Sequence, residues 1–338
     1  MALLNPALIE QKKEARTIDE NAKPLLEMTM RDGIETVWDR FEMQQPPCKY
    51  CEAGLSCARC TMGPCRIIPP HRIRGVCGAD ADLIVARNLL DTIATGSAAH
   101  SDHGRDIVET LYLVGSGKTD DYGIADPEKL KKLSSEFGIS ITGKNPENLA
   151  AELGRAMLEE YGMVKNTLQM LNRAPKATRD IWTKLGISPR GIDREVVDCM
   201  HRVQMGVGAD YSGMLLQGLR CSLSDGWGGS MMGTDISDVL FGTPTIKSST
   251  MNLAVMKADH VNISVHGHNP VLSEVIVKAV ADPELKALAK KYGAKGINLV
   301  GMCCTGSELM MRKGIPMTGN HLNQELIESL FAFIVTAA

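Results

Sequence analysis

Six of the ten cysteines in this 338-residue chain fall within a segment of thirty residues. Their spacing is Cys48-x2-Cys51-x5-Cys57-x2-Cys60-x4-Cys65-x11-Cys77. Loops that carry so many thiols can be organised by disulfides, by zinc or by iron–sulfur clusters. The choice among these three constrains both the fold of residues 48–77, called the cysteine segment below, and its chemistry.

Features outside the cysteine segment argue against disulfides. Residues 1–16 lack the cationic start, apolar core and cleavage signature of a secretion signal. No apolar run reaches the roughly eighteen residues that a membrane span needs. We therefore expect a cytoplasmic protein, and in the cytoplasm clustered cysteines usually bind metal or carry redox chemistry. The net charge of −3 also gives no basic footprint for nucleic acid.

The spacing favours an iron–sulfur cluster over zinc. Structural zinc usually takes two short-spaced pairs of ligands, and the first four cysteines could supply them, but the last two would then have no role. Three closely spaced cysteines with a remote fourth fit a four-iron cluster better. Those four ligands are Cys57, Cys60, Cys65 and Cys77.

Cys48 and Cys51 then remain as a surplus pair. Two thiolates cannot complete a cluster, but a two-fold homodimer would bring four together. The sequence thus allows an iron–sulfur cluster shared across a dimer axis, and the alternative is a pair of reduced thiols in a loop.

The first part of the chain has helical periodicity. The residues from 1 to 243 are interpreted as an all-helical domain that carries the metal-binding loops. The predicted helices are 17–43 (with a break at Gly33), 80–90, 100–114, 127–137, 146–161, 163–172, 176–185 and 192–205. The glycines at 226, 228, 229 and 233 predict a loop. Residues 114–119 imitate a phosphate-binding loop, but the first required glycine is missing, and Gly115 is interpreted as a helix C-terminus.

The chain changes character after residue 243. Two short apolar, β-branched runs, 260–266 and 296–301, flank a helical stretch at 271–292 and predict a βαβ unit with parallel strands. The fold class is therefore mixed α and α/β, with residues 244–338 as a partial Rossmann-like parallel domain. Residues 323–338 are apolar nearly all round and predict a helix that must be buried on every side. Since nothing follows to bury it, we expect a chain cut off in mid-domain.

The predicted βαβ unit places two metal-ligand types at one edge. His268 follows the first strand and Cys304 follows the second. Loops at the carboxyl ends of neighbouring parallel strands form the usual ligand crevice of such sheets. A second metal centre is one interpretation, and a loop histidine beside a buried thiol is the other.

The remaining histidines and cysteines allow simpler interpretations. Cys199 shares a helical face with apolar residues, and both it and Cys221 are predicted to pack in the core. His100 and His103 lie one helical turn apart. Solvated surface is the default for such a pair, although a proton relay is open to them because imidazoles titrate near neutrality.

Taken in order, a series of motifs resembles the anaerobic nickel–iron carbon monoxide dehydrogenases. The motifs are Val37-Trp38-Asp39-Arg40, Met62-Gly63-Pro64-Cys65-Arg66-Ile67, Gly75-Val76-Cys77-Gly78-Ala79, Ala98-Ala99-His100-Ser101, Leu219-Arg220-Cys221-Ser222, Gly233-Thr234-Asp235, His266-Gly267-His268-Asn269-Pro270 and Cys303-Cys304-Thr305-Gly306. The resemblance implies a homodimeric, longer catalytic subunit in which a helical domain precedes Rossmann-like domains. This chain would correspond to its N-terminal half.

The resemblance assigns roles to the iron–sulfur ligands. Cys57, Cys60, Cys65 and Cys77 match the ligands of an electron-relaying 4Fe-4S cluster, and Cys48 matches one ligand of a cluster that bridges the dimer. Ser56 stands where many members have the second bridging cysteine. Cys51 supplies that thiol instead, which resembles members with a 2Fe-2S bridge; a 4Fe-4S bridge is the alternative.

The resemblance also assigns roles at the active site. His268 and Cys304 match the ligands of a pendant iron in a nickel–iron–sulfur centre, and His100 and His103 match the start of a histidine series proposed to carry protons. Asp106 and Glu109 occupy the later positions of that series, so any relay must differ here. The family's other active-site thiolates and its catalytic lysine would lie beyond residue 338, so we expect the chain alone to be inactive.

The activity implied is the reversible oxidation of CO with water to CO2, two electrons and two protons. Nickel would bind CO, the pendant iron would activate water, and a ferredoxin-like carrier would take the electrons. Three alternatives remain: an electron-transfer iron–sulfur module without catalysis, a relative of the hydroxylamine-reducing hybrid-cluster proteins, and a zinc-stabilised interaction protein. The motifs at 266–270 and 303–306 favour the carbon monoxide enzyme.

Overall fold

The computed structural model describes residues 6–164, 166–328 and 333–337. The chain divides into two units, which we call the helical unit (Pro47–Gly242) and the sheet unit (Met1–Pro46 with Thr243–Ala338). The sequence prediction divides the chain at residue 243 and groups residues 1–46 with the helices that follow them. In the structure these first 46 residues belong with the sheet unit instead.

The helical unit is built around one long helix, Ala81–Gly115. The predicted helices 80–90 and 100–114 are parts of it, since no breaker interrupts them and Asp80 caps the first turn by accepting a hydrogen bond from the Leu83 N–H at 3.0 Å. The helix ends at Gly115, as predicted. The other helices of this unit are Lys49–Glu52, Pro127–Glu136, Pro146–Glu159, Lys176–Leu185, Ile192–Arg202, Tyr211–Ser224 and Ser230–Phe241, with a 3-10 turn at Gln169–Arg173.

The glycine-rich stretch after residue 224 was predicted as a loop, and that prediction is wrong. Asp225–Gly229 forms a π-helical turn that leads directly into the helix Ser230–Phe241. Glycine is needed here for close packing: a Cβ on Gly229 would lie 2.9 Å from the His100 carbonyl oxygen. The glycines thus mark contact with the long helix rather than a break in structure.

A core of apolar side chains lies in the helical unit beside the cysteine segment. It includes Ile67, Ile84 and Leu90 together with Cys199 and Cys221, both of which are fully buried. The predicted packing role of these two cysteines is confirmed.

The sheet unit contains the predicted parallel βαβ arrangement. Its strands lie in the order Met317–Gly319, Ile297–Met302, Val261–Gly267, Phe333–Ala337, and all neighbours are parallel. The helices of this unit are Pro6–Arg16, Lys23–Asp32, Val37–Met43, Pro270–Ala281, Pro283–Lys291, Cys303–Lys313 and Gln324–Glu328, and 3-10 turns lie at Leu253–Val255 and His321–Asn323. The mixed α and α/β fold class is confirmed.

Two details of this unit correct the sequence prediction. Asp282-Pro283 divides the predicted helix 271–292, because Asp282 ends one helix and caps the next. The predicted apolar helix 323–338 is wrong over Phe333–Ala337, which forms a strand beside Val261–Gly267. A short apolar run fits a buried parallel strand as well as a helix, and periodicity does not separate the two.

Within the described part of the chain, every helix falls short of the length or the hydrophobicity that a membrane crossing needs.

Candidate metal centres

A small hairpin organises the first half of the cysteine segment. Ser56–Cys57 pairs antiparallel with Cys65–Arg66, and this register sets Cys57 directly opposite Cys65. The connection is tight: a Cβ on Gly63 would lie 3.0 Å from the Cys65 nitrogen and 3.2 Å from the Cys57 carbonyl oxygen. The hairpin therefore brings together two thiols that are eight positions apart in sequence.

Two sulfur atoms in the second half of the segment accept hydrogen bonds. The Val76 N–H donates to Cys65 Sγ at 3.4 Å, and Arg87 Nη1 donates to Cys77 Sγ at 3.4 Å. The Arg87 hydrogen bond lowers the pKa of the Cys77 thiol. Cys57 is buried, Cys60 and Cys65 are half-buried, and Cys77 is exposed. Free thiols with amide and guanidinium donors are the environment that an iron–sulfur cluster takes up.

Cys48 and Cys51 are exposed thiols at a short helix that precedes the hairpin. Cys48 lies just before the helix Lys49–Glu52, and hydrogen bonding from the Cys51 backbone lowers the pKa of the Cys48 thiol. Ser56 Oγ donates to Cys51 Sγ at 3.4 Å. The two thiols form an exposed, hydrogen-bonded pair at the surface of the helical unit.

No three side chains of His, Cys, Asp or Glu converge on the position of a single metal ion among the described residues. This result does not conflict with a four-iron cluster, because a cluster is larger than one ion and holds its ligand sulfurs further apart. The donor set of Cys57, Cys60, Cys65 and Cys77 fits such a cluster by its chemistry: four free thiols on short loops, with donors directed at two of the sulfurs.

His268 and Cys304 follow neighbouring strands, as predicted. His266 and Met302 are paired in the parallel register, so each candidate ligand lies two residues beyond a paired position. Both residues are exposed. His268 lies in a turn, but Cys304 lies in the first turn of the helix Cys303–Lys313 rather than in a loop. Buried hydrogen bonds join the two segments: Thr305 Oγ1 donates to the Asn269 carbonyl at 3.4 Å, and it lies 2.8 Å from Ser273 Oγ.

Close packing of two glycines holds the helix that carries Cys304 directly against the preceding strand. A Cβ on Gly301 would lie 2.4 Å from Gly306 Cα, so the helix Cys303–Lys313 rests directly on the strand before it. Cys303, at the start of this helix, has a φ of 57°, which is unusual for a residue with a side chain. Its thiol is half-buried, and burial raises its pKa. The next residue, Cys304, is thereby left facing outward.

His100 has a partner that sequence reasoning missed. Its Nδ1 lies 2.9 Å from Asp225 Oδ1, and Ser230 Oγ donates to the same carboxylate oxygen at 2.7 Å. The imidazole remains about half exposed. The pair is 125 positions apart, and Asp225 stood next to glycines that were interpreted as a loop, so no spacing signal pointed to it. His103 lies one turn further along the same helix.

Comparison with known proteins gives a consistent result. Residues 55–335 match the model of the Prismane/CO dehydrogenase family. The chain is 53% identical to carbon monoxide dehydrogenase 1 of Methanosarcina mazei over 320 residues, which cover 94% of this chain and 51% of that protein. It is 44% identical to carbon monoxide dehydrogenase 1 of Carboxydothermus hydrogenoformans, over 92% of this chain and 49% of that protein.

Solved structures show the same similarity. A nickel-free carbon monoxide dehydrogenase from Thermococcus sp. AM4 matches with a TM-score of 0.94 and 46% identity, over 99% of this chain and 54% of that one. The chain thus spans about half the length of the proteins that it matches.

Proposed function

Since this chain belongs to the Prismane/CO dehydrogenase family, we propose that it contributes to an anaerobic nickel–iron carbon monoxide dehydrogenase. The reaction is CO + H2O ⇌ CO2 + 2 e− + 2 H+. The observation that carries the proposal is that a relative named for this activity matches 94% of the chain at 53% identity. The family model covers residues 55–335, and this range contains every candidate ligand except Cys48 and Cys51.

The cysteine segment supplies the electron-relay part of this proposal. Cys57, Cys60, Cys65 and Cys77 hold a 4Fe-4S cluster. The hairpin register and the donors to Cys65 and Cys77 support this assignment, because hydrogen bonds to sulfur stabilise the thiolate and tune the potential of a cluster.

Cys48 and Cys51 hold half of a second cluster, shared with the same pair of a partner subunit in a cytoplasmic homodimer. Their exposure and their mutual hydrogen bonding support this role, since a bridging ligand must reach the surface. Two thiolates from each subunit suit a 2Fe-2S bridge, with a 4Fe-4S bridge as the alternative. Electrons then pass to a ferredoxin-like carrier.

His268 and Cys304 hold the pendant iron of the active site. When bound, the nickel–iron–sulfur centre supplies a soft site for CO and a Lewis acid for water. The residues of this chain would contribute an imidazole nitrogen and a cysteine sulfur as ligands, and the hydrogen bonds of Thr305 tie the helix that carries Cys304 to the turn that carries His268. Two protein ligands do not complete such a centre. Cys199 and Cys221 are buried in the core of the helical unit and are not candidates for it.

His100 and His103 handle the protons. The Asp225 carboxylate accepts a hydrogen bond from Nδ1–H of His100, which fixes one tautomer and holds the ring in one orientation. The Asp225–His100 contact supports this assignment because an oriented imidazole exchanges protons at one defined atom.

Metal analysis of the anoxically purified chain tests the proposal. About five irons per chain with equivalent sulfide and no nickel would match one 4Fe-4S cluster and half of a 2Fe-2S cluster. Nickel near one per chain, with about four additional irons, would mean that this chain alone assembles the active site, and CO oxidation should then be detectable. Zinc without iron or sulfide would refute the iron–sulfur assignment.

A further inference from the structure

The sheet unit contains a cavity that none of the roles above uses. Its volume is about 570 Å³, and it lies at the carboxyl end of the strand Met317–Gly319. That size falls within the range of small-molecule sites, and the carboxyl ends of parallel strands are where such sheets bind ligands. The lining of the cavity includes Arg16, Asp19, Trp38, Asn252, Asn320 and Asn323.

Three asparagines present hydrogen-bond donors to this cavity. In each one the side-chain oxygen is already engaged with a backbone N–H: Asn252 accepts from Ala254 at 3.0 Å, Asn320 from Leu322 at 2.9 Å, and Asn323 from Asn320 at 3.4 Å. Because the oxygen of each carboxamide is fixed in this way, its NH2 group is the end available to a ligand. The cavity therefore offers several neutral donors.

The charges around the cavity do not favour an anion. The Arg16 guanidinium lines it, but Nε and Nη2 of Arg16 already donate to Glu42 and Asp39 at 2.6–3.0 Å. Asp19 adds a carboxylate to the lining. Nη1 of Arg16 has no hydrogen-bond partner among the described residues and is a further donor. Arg16 is nevertheless paired with two acids, one of which also pairs with Lys12, and Asp19 adds a third acid. The charge around the cavity is therefore not net positive, which favours an uncharged ligand over a phosphate or carboxylate.

Trp38 gives the cavity an aromatic wall. Its side chain is half-buried and packs against the apolar core of the sheet unit. An indole ring offers a flat apolar surface and one N–H donor. Carboxamides, a carboxylate and an indole together suit a ring that carries hydroxyl groups, because each hydroxyl both donates and accepts, and the C–H face of such a ring can pack on the indole.

We propose that this cavity binds a neutral polyhydroxylated ring, either a free sugar or the ribose of a nucleoside. The asparagine NH2 groups donate to the hydroxyl oxygens, the Asp19 carboxylate accepts from hydroxyl groups, and the ring lies against Trp38.

Ligand-observed NMR with the intact 338-residue chain tests this inference, with glucose, ribose, adenosine and AMP as separate probes. We expect saturable binding of the uncharged probes in the millimolar range or tighter, that is, a free energy of about −4 kcal/mol or better. Binding of both free sugars identifies a sugar site, and binding of adenosine alone identifies a nucleoside site. AMP should bind more weakly than adenosine.

Asparagine-to-aspartate variants make the test specific. Asn252→Asp and Asn320→Asp keep the oxygen that caps the backbone and replace only the NH2 donor, so the fold should survive while binding weakens about five- to tenfold. Asn145→Asp is the matched control. Asn145 caps the helix Pro146–Glu159 in the helical unit by the same kind of bond, from the Asn148 N–H at 2.9 Å, and this variant should bind as the parent chain does.

Three results would overturn the proposal. The first is no saturable binding of any uncharged probe. The second is AMP binding more tightly than adenosine, which would mean an oxyanion site. The third is an equal loss of binding in Asn145→Asp and Asn320→Asp, which would mean that the effect is not local to the cavity.

Discussion

The two candidate metal regions of this chain are built in different ways. In the cysteine segment, six thiols lie within thirty residues, and short turns bring them together. At the sheet edge, His268 and Cys304 are 36 positions apart, and only the parallel pairing of two strands makes them neighbours. The first region therefore depends on local geometry, and the second depends on a folded sheet.

This difference predicts which changes each region tolerates. The cysteine segment relies on the Cys57–Cys65 pairing and on donors from Val76 and Arg87. The sheet edge relies on the Gly301–Gly306 contact and on the buried hydroxyl of Thr305. A substitution in one set should leave the metal content of the other region unchanged.

The largest effect is expected from Cys57→Ser. Loss of one thiolate from a four-ligand set should remove most of the 4Fe-4S cluster, a drop of about four irons per chain. Iron and sulfide analysis of anoxically purified protein measures it. The matched control is Cys304→Ser, which changes an exposed thiol of the sheet edge and should leave that iron in place. Equal loss in the two variants would contradict the independence of the two regions.

A pH effect should be confined to the helical unit. Glu160 is buried there, its Oε2 has no partner among the described residues, and desolvation raises its pKa to about 7 from an ordinary value of 4.5. The folded state therefore keeps a proton that the unfolded chain loses, and the free energy of unfolding should fall by about 3 kcal/mol as the pH rises from 4.5 to 7.

Glu160→Gln should abolish this dependence of the free energy of unfolding on pH. Glu159→Gln, a change at the exposed neighbour, should leave the dependence unchanged. Urea unfolding at several pH values measures it. The fluorescence of Trp182 and Trp227, whose rings lie 5.9 Å apart in the helical unit, reports on that unit, and Trp38 reports on the sheet unit. A pH dependence of unfolding that is seen only in the Trp38 signal would contradict the assignment to Glu160.

The cysteine segment also shows how far the sequence could be interpreted. Spacing alone predicted a ligand set, because ligands that are close in sequence leave a pattern that can be recognised without any knowledge of the fold. The sheet edge could be predicted from two β-branched runs and the rule for parallel strands. A short-range spacing signal predicts the first region and a rule of sheet topology predicts the second, and family resemblance added roles rather than positions.

What could not be predicted depends on contacts distant in sequence. Asp225 approaches His100 only because Gly229 allows two helices to touch, and glycine in a sequence signals a loop as readily as close packing. The strand Phe333–Ala337 was taken for a helix because a short apolar run has no distinguishing period. The strand Met317–Gly319 was missed because three residues carry no pattern.

A moderate loss of stability is expected from Gly306→Ala. The added Cβ would lie 2.6 Å from the Gly301 carbonyl carbon, so the helix Cys303–Lys313 must lift from the strand, at a cost of about 1–3 kcal/mol. Gly296→Ala is the control in the same unit, because its Cβ would meet His260 at an ordinary 3.5 Å. Urea unfolding followed by Trp38 measures both. Iron bound by the cysteine segment should not change, and a loss of that iron would contradict the comparison.

The smallest effect on stability is expected from Thr305→Val. This change keeps the shape of the buried side chain and removes only the hydroxyl that contacts Asn269 and Ser273, so it should cost about 1 kcal/mol. The control is Thr92→Val, which removes a hydroxyl bonded to the Asn88 carbonyl on the exposed face of the long helix and should cost less. Ser273 keeps its hydrogen bond to the Pro270 carbonyl at 2.9 Å in the variant. The variant therefore loses only the hydrogen bonds that tie the helix carrying Cys304 to the segment after His268.

That tie is what distinguishes the sheet edge from the cysteine segment. If Thr305 holds His268 and Cys304 together, Thr305→Val should weaken the binding of a probe ion such as Co2+ to this edge by more than its small effect on stability explains. Double substitution with Cys304→Ser should then be non-additive, because the hydroxyl acts on binding only through the position of that thiol. Additive losses would mean that the two segments are fixed by the strands alone, and the buried hydroxyl would contribute only to stability.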